Sequence, residues 1–239
     1  TNAGANTAGA NIQFDGAING TARELTVRAG TSGSVAFTGA LGTDTNPLGA
    51  INITSANNVS FTDNISAASF TQIAGTGTTT FDSTQNYTSD FLFTGNILTV
   101  NKSLTVGGTT IIANSGQFTT SNAGSISATG EFSQTGAGLN SIGANISTAN
   151  NNISFSTGIT LLEDVQLSTG VGAGNITLSS AVEAGTSSSK ENLILIAGTG
   201  NINFGSTVGA TNSLGAITVT SANNVSFIGD VIAASFTQI

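Results

Sequence analysis

The string "SANNVSFTDNISAASFTQI", Ser55 to Ile73, returns as "SANNVSFIGDVIAASFTQI", Ser221 to Ile239, with 14 of 19 residues identical. This internal duplication constrains the chain more than any other feature, because a fold must give both copies equivalent surroundings. The match extends upstream. "LGAINITSANNVSF" from Leu48 pairs with "LGAITVTSANNVSF" from Leu214 at the same offset of 166. "RELTVRAG" from Arg23 pairs with "ENLILIAG" from Glu191, and "NIQF" from Asn11 with "NITL" from Asn175. Residues 11–73 and 175–239 are therefore two copies of one segment, in a repeat of about 166 residues. Small drifts in offset mark insertions, which belong at turns.

A finer rhythm runs inside the repeat. Runs such as Leu25–Val27, Ile51–Ile53, Leu98–Val100, Ile153–Phe155 and Leu193–Leu195 alternate apolar and polar residues between clusters of Gly, Asn, Ser and Asp. Alternation with period two, bounded by turn formers, predicts short strands starting every eight to twelve residues or so. Sustained 3.6-residue periodicity is absent. The pattern predicts an all-β chain. The sequence has neither the Cys/Trp signature of an immunoglobulin-like sandwich nor the Trp-Asp and Gly-His signatures of WD40 blades, since it has no Cys, Trp or His. A parallel β-solenoid (β-helix) fits best, with residues 1–239 as one continuous unit and roughly 20–25 residues per coil. Asn at the turns is expected to form amide ladders, with aliphatic and Phe side chains stacked inside.

Recurrence at strand positions predicts an interior ladder of Phe37, Val59, Phe61, Phe70 and Ile73, and their counterparts Phe204, Val225, Phe227, Phe236 and Ile239. Stacked burial suits Phe better than a surface stripe.

The repeat units "STGVGAGNITL", "LILIAGTGNINF", "LGAITVTSANNVSF", "ASFTQIAGTGTTTF" and "LFTGNILTVN" resemble those of filamentous-haemagglutinin-like adhesins and giant bacterial β-strand-repeat surface proteins. The resemblance implies a right-handed parallel β-helix, secretion across the envelope, an extracellular, cell-surface location and a role as a surface fibre or adhesin shaft. Residues 82–95 fit it less well, and no two-partner secretion cap is visible.

Chemistry finds little material. Only Arg23, Arg28, Lys102 and Lys190 are basic and the net charge is −8, which excludes the counterion-displacing surface that nucleic acid requires. Anionic membrane surfaces are excluded likewise, and no run of about 18 apolar residues is present to span a bilayer. The N-terminal "TNAGANTAGAN" does not read as a signal peptide. Nucleophilic catalysis needs a base beside Ser or Thr, and His is missing. Paired carboxylates are offered by Glu163–Asp164 and by Asp82 with Asp90; as neighbours on a strand, Glu163 and Asp164 are expected to point to opposite faces. The expectation is therefore a non-enzymatic protein, with no catalytic residues and no cofactor.

Calcium candidates are Asp63 and Asp230, which put an acid into the same loop of each copy. Thr78, Thr79 and Thr80 gather hydroxyls in one place, without the one Thr-x-Thr per coil that an ice-binding face would show. Ten Asn-x-Ser/Thr sequons, Asn58, Asn145 and Asn175 among them, are expected from composition alone. Tyr87, in the irregular stretch, is the one candidate for an exposed aromatic contact.

These observations lead to the expectation of a stiff extracellular rod serving adhesion, biofilm or a surface coat. A glycan- or host-surface-binding module is the alternative, ahead of a glycan-cleaving β-helix or an ice-binding solenoid. The expected partner is the protein itself, by end-to-end stacking or as part of a longer chain, with surface glycans or other cells as further candidates. The stop at Ile239, where "AGTGTTTF" follows the first copy, leads to the expectation that the rod continues.

Overall fold

The computed structural model describes residues 8–239. It is all-β, with parallel strands stacked as a solenoid of about 11 turns. At about 4.8 Å per coil this is a rod roughly 50 Å long. Each turn visits three faces. The first face carries Ile12–Phe14, Val35–Phe37, Val59–Phe61, Thr78–Phe81, Ile97–Val100, Phe118–Thr120, Asn140–Ile142, Ile159–Leu161 and Val182–Ala184, hydrogen-bonded in that order. Its ladder ends in bridges at Val208 and Val231. The second face begins with the bridges of Ile18, Leu41 and Ile65. From there it climbs through Gln85, Leu104, Ile126 and Ile146, and ends at Leu195, Val219 and Gln238. The third face climbs through Leu25, Ile51, Phe70, Phe91, Thr110, Phe132, Ile153, Ile176, Ile202 and Val225.

Why these residues stack follows from the two-residue period. Most three-residue strands show a buried–intermediate–buried pattern, for example Val35–Phe37 and Ile153–Phe155. Alternate side chains enter a single core that runs through the rod. In a parallel coil like sits on like. Phe14, Phe37, Phe61 and Phe81 form one column on the first face, with successive ring centroids 4.9, 4.9 and 4.7 Å apart and planes within 3°. That spacing is the strand spacing itself.

Polar side chains enter the core at the corner between third and first faces. Buried Gln134 donates to Asn114 Oδ1 (2.7 Å) and to Gly136 O (2.8 Å). Its Oε1 accepts from the Thr157 amide (3.3 Å) and hydroxyl (3.2 Å) in the next coil. Thr79 Oγ1 donates to buried Gln72 Oε1 at 2.9 Å. These bonds satisfy groups that would otherwise be costly to bury.

The sequence repeat and the coil are out of step. From Val59 on the first face to Val225 on the third there are 23 face-to-face steps, seven turns and two faces. The second copy is thus rotated one face round. Ile51 on the third face answers to Ile217 on the second, and Ile65 on the second to Val231 on the first. Packing geometry survives the rotation. Phe61 meets Phe70 edge-on (5.9 Å, 81°), and their counterparts Phe227 and Phe236 do the same (5.6 Å, 80°). Gly42 and Gly209 hold the same left-handed turn, φ 67° and 69°, before the long strands Leu48–Ser55 and Leu214–Ser221.

Of the expected interior ladder, Phe37, Val59, Phe61, Phe70 and Phe204 are buried. Val225 and Phe227 are partly buried against the core. Ile73 and Ile239 are not in it: they are 59% and 82% exposed. Each stands three residues beyond an inward Phe, so strand alternation turns it outward, and Gln72 takes the interior place instead. Phe236 is 46% exposed: its strand pairs with Leu214–Ser221, and no strand among the described residues lies on its other side.

Candidate functional site

The paired carboxylates singled out in the sequence sit at turns. Glu163 and Asp164 do not diverge on a strand as expected. They lie in the turn after Ile159–Leu161, both exposed, and line one groove of about 640 Å³ with Asn122, Asn145, Ser189 and Glu191. Two of the three acids in the groove are already engaged. Asp164 accepts from the Asn192 amide and from its Nδ2, both at 2.8 Å. Buried Glu191 accepts from the Gly185 amide at 2.9 Å. Asp82 and Asp90 are engaged separately: Asp82 accepts from Asn101 Nδ2 (2.7 Å) and Asp90 from the Thr109 amide (2.8 Å), one coil on in each case.

Asp63 lines a groove of about 260 Å³ with Asp44, Asn64, Thr84 and Asn86 on the second face. Its Oδ1 accepts from the amide of Asn64 at 2.7 Å. Asp230 is exposed and belongs to the turn before the first-face bridge of Val231, so the two calcium candidates stand on different faces. The repeat does not recreate the groove's acids, since Asp63 aligns with Gly229 and Asp230 with Asn64. Among the described residues no group of three His, Cys, Asp or Glu side chains is placed to hold a metal ion.

Tyr87 is not an exposed aromatic. It is 2% exposed, packed between Phe70 and Phe91. Its hydroxyl has no hydrogen-bond partner among the described residues, and burial pushes its pKa well above the ordinary phenol value. The irregular stretch builds two ordinary strands, Gln85–Tyr87 and Phe91–Gly95.

Thr78, Thr79 and Thr80 share one strand, and Thr79 points inward. Thr80 belongs to a feature the sequence hides. Outward on the first face, Ser60, Thr80, Thr99, Thr119, Ser141 and Thr160 are register partners, one hydroxyl residue per coil over six coils. The row is a single file, flanked on one side by Ile97, Gln117 and Leu139. About 20 residues separate its members in sequence, and only the register brings them into line.

The commonest polar device is a clamp between coils. A side-chain oxygen in one turn accepts a backbone amide in the next. Asn11 takes Ser34 N–H (2.9 Å), Asn58 takes Thr78 (2.8 Å), Asn145 takes Gln166 (2.8 Å), Asn175 takes Asn201 (2.8 Å) and Asn192 takes Ala216 (2.6 Å). The Asp90 and Asp164 contacts are the same device with a carboxylate. Asn suits it because a short amide reaches about one strand spacing from a turn. Asn58, Asn145 and Asn175, three of the sequon positions, are thus structural.

Comparison with protein-family models, with curated proteins and with solved structures finds no match for the chain.

Proposed function

We propose that this chain is a length of structural rod, a non-enzymatic fibre or shaft segment of a bacterial surface protein, at work outside the cell. The observation that carries this reading is the continuous core that runs through the rod, with polar side chains such as Gln134 joining one coil to the next. Each coil contacts its neighbours, so stiffness and stability grow with coil number and no coil needs to be special. The chain holds no Cys and no Met, which suits exposure to oxidants. The resemblance to filamentous-haemagglutinin-like and β-strand-repeat proteins supports the same role in adhesion, biofilm or a coat. The partner on this reading is the same solenoid, continued along the axis.

The test is electron microscopy of the native material. Long unbranched fibres about 20–30 Å wide, the width of a few sheets packed roughly 10 Å apart, are expected. Discrete compact particles would overturn the reading.

A further inference from the structure

The groove of about 260 Å³ on the second face draws its walls from successive coils. Asp44 comes from the loop between Leu41 and the strand Leu48–Ser55, where Thr43 and Asn46 each donate an amide to the other's carbonyl (3.2 and 3.0 Å). Asp63 and Ser66 come from the coil above, and Thr84 and Asn86 from the coil above that. Both carboxylates are exposed, and none of the four basic residues of the sequence lines the groove. Two anions held at one small space without a cation repel each other. Asp63 spends one oxygen on the Asn64 amide (2.7 Å), and Asp44 takes a long contact, 3.4 Å, from Asn86 Nδ2.

A second observation is independent of the acids. Ser66 lies between Ile65 and Ala67, whose side chains enter the core, so its own side chain points the other way, into the groove. Although it faces outward it is only 9% exposed, and its hydroxyl has no hydrogen-bond partner among the described residues. A hydroxyl so buried is normally paired. The second copy of the repeat lacks all three groups. Its loop, Gly209 to Leu214, is one residue shorter than Gly42 to Leu48 and carries no acid. Gly229 stands in place of Asp63 and Ile232 in place of Ser66.

We propose that this groove is a calcium site, with Asp44 and Asp63 as its charged ligands and Ser66 Oγ as a neutral one. Calcium takes about six to eight hard oxygens, and carboxylate, hydroxyl, amide and carbonyl oxygens all serve, so three carboxylates are not required. Thr84 and Asn86 offer further side-chain oxygens at the rim, and water completes the shell. Two carboxylates make a weak site, with Kd about 10⁻⁴–10⁻³ M, the range of extracellular modules. The bound ion ties the loop of one coil to the coil above it. The inference rests on side-chain placement and holds whether or not the rod serves as a surface fibre.

The experiment titrates calcium into the chelator-treated chain by calorimetry, with circular dichroism reporting the fold of each variant. One ion per chain is expected. Asp44→Asn and Asp63→Asn keep the side-chain shape, and each is expected to weaken binding at least about tenfold; Ser66→Ala is expected to weaken it about threefold. Asp230→Asn, and Glu163→Gln in the larger acidic groove, are expected to leave binding unchanged. In NMR spectra of the unaltered chain, amides of 43–46 and 63–66 are expected to shift on titration while those of 229–232 stay; these spectra carry the test should a variant fail to fold. Four results overturn the inference: no binding up to about 10 mM calcium, unmoved amides at 43–46 and 63–66, binding that survives Asp44→Asn and Asp63→Asn together, or binding lost on Glu163→Gln instead.

Discussion

Phe70 and Phe236 occupy the same place in the same seven-residue string, "AASFTQI", so replacing each by Ala separates coverage from local sequence. Phe70 is fully buried and touches the rings of Phe61, Phe81, Tyr87 and Phe91. Phe70→Ala removes that contact and leaves a cavity between coils that cannot close without breaking the ladder. Such truncations cost about 3–5 kcal/mol, and four ring neighbours place this one near the top of the range. Phe236 is 46% exposed, and among the described residues its one ring contact is with Phe227. Half the transfer term of a Phe is about 1 kcal/mol, and solvent fills the space, so no cavity term is added. Urea unfolding with fluorescence-free detection, such as circular dichroism, reads both variants. The expected loss is about 3 kcal/mol or more for Phe70→Ala and about 1 kcal/mol or less for Phe236→Ala. Equal losses would refute the claim that stacking from above, and not strand sequence, sets stability here.

Other consequences are open to measurement. Gln134→Ala strips Asn114 and the Thr157 amide of a buried partner, and a loss of about 3 kcal/mol is expected in the same assay; Gln117→Ala, at the exposed Ser141 contact, is expected to stay within about 0.5 kcal/mol. Tyr87→Phe removes a buried hydroxyl without a partner and is expected to be neutral or stabilising. The folded Tyr87 pKa is raised, so its contribution is intact below the unfolded value of about 10 and is lost as pH rises beyond it. Wild-type stability should therefore fall more steeply with pH above about 10 than that of Tyr87→Phe, by up to about 1.4 kcal/mol per pH unit; parallel curves would show that the phenol ionises freely in the folded rod.

Much of the solenoid was legible because two-residue alternation is a local signal. It told inside from outside for Val59, Phe61 and Phe70, and the turn formers told where strands end. The same rule places Ile73 outside, since Phe70 and Ile73 are three apart and parity outweighs the hydrophobicity of the side chain. Tyr87 carries the opposite lesson, because its place between Gln85 and Phe91 in an alternating run pointed inward despite its polar tip. For Glu163 and Asp164 the apolar run before them suggests a strand, but the strand ends at Leu161. Three features lie beyond any local signal. The hydroxyl file from Ser60 to Thr160, the Asn clamps and the one-face rotation of the repeat all depend on coil length. Register partners on the first face are 19 residues apart from Thr79 to Leu98 but 26 from Val182 to Val208. Sequence alternation gives the face no name, so a drifting coil length leaves such alignments invisible until the register is known.

The central claim, that the second copy sits one face round from the first, is tested most directly by paired cysteines in this cysteine-free chain. Thr177, the counterpart of first-face Gln13, is placed in register over Ser154 on the third face. Paired parallel strands lie about 4.8 Å apart, within the Cα range of a disulfide. Ser154→Cys with Thr177→Cys is therefore expected to cross-link under mild oxidation, and Thr160→Cys with Thr177→Cys to remain reduced. Cross-linking of the second pair and not the first would put the copy back on the first face and contradict the account.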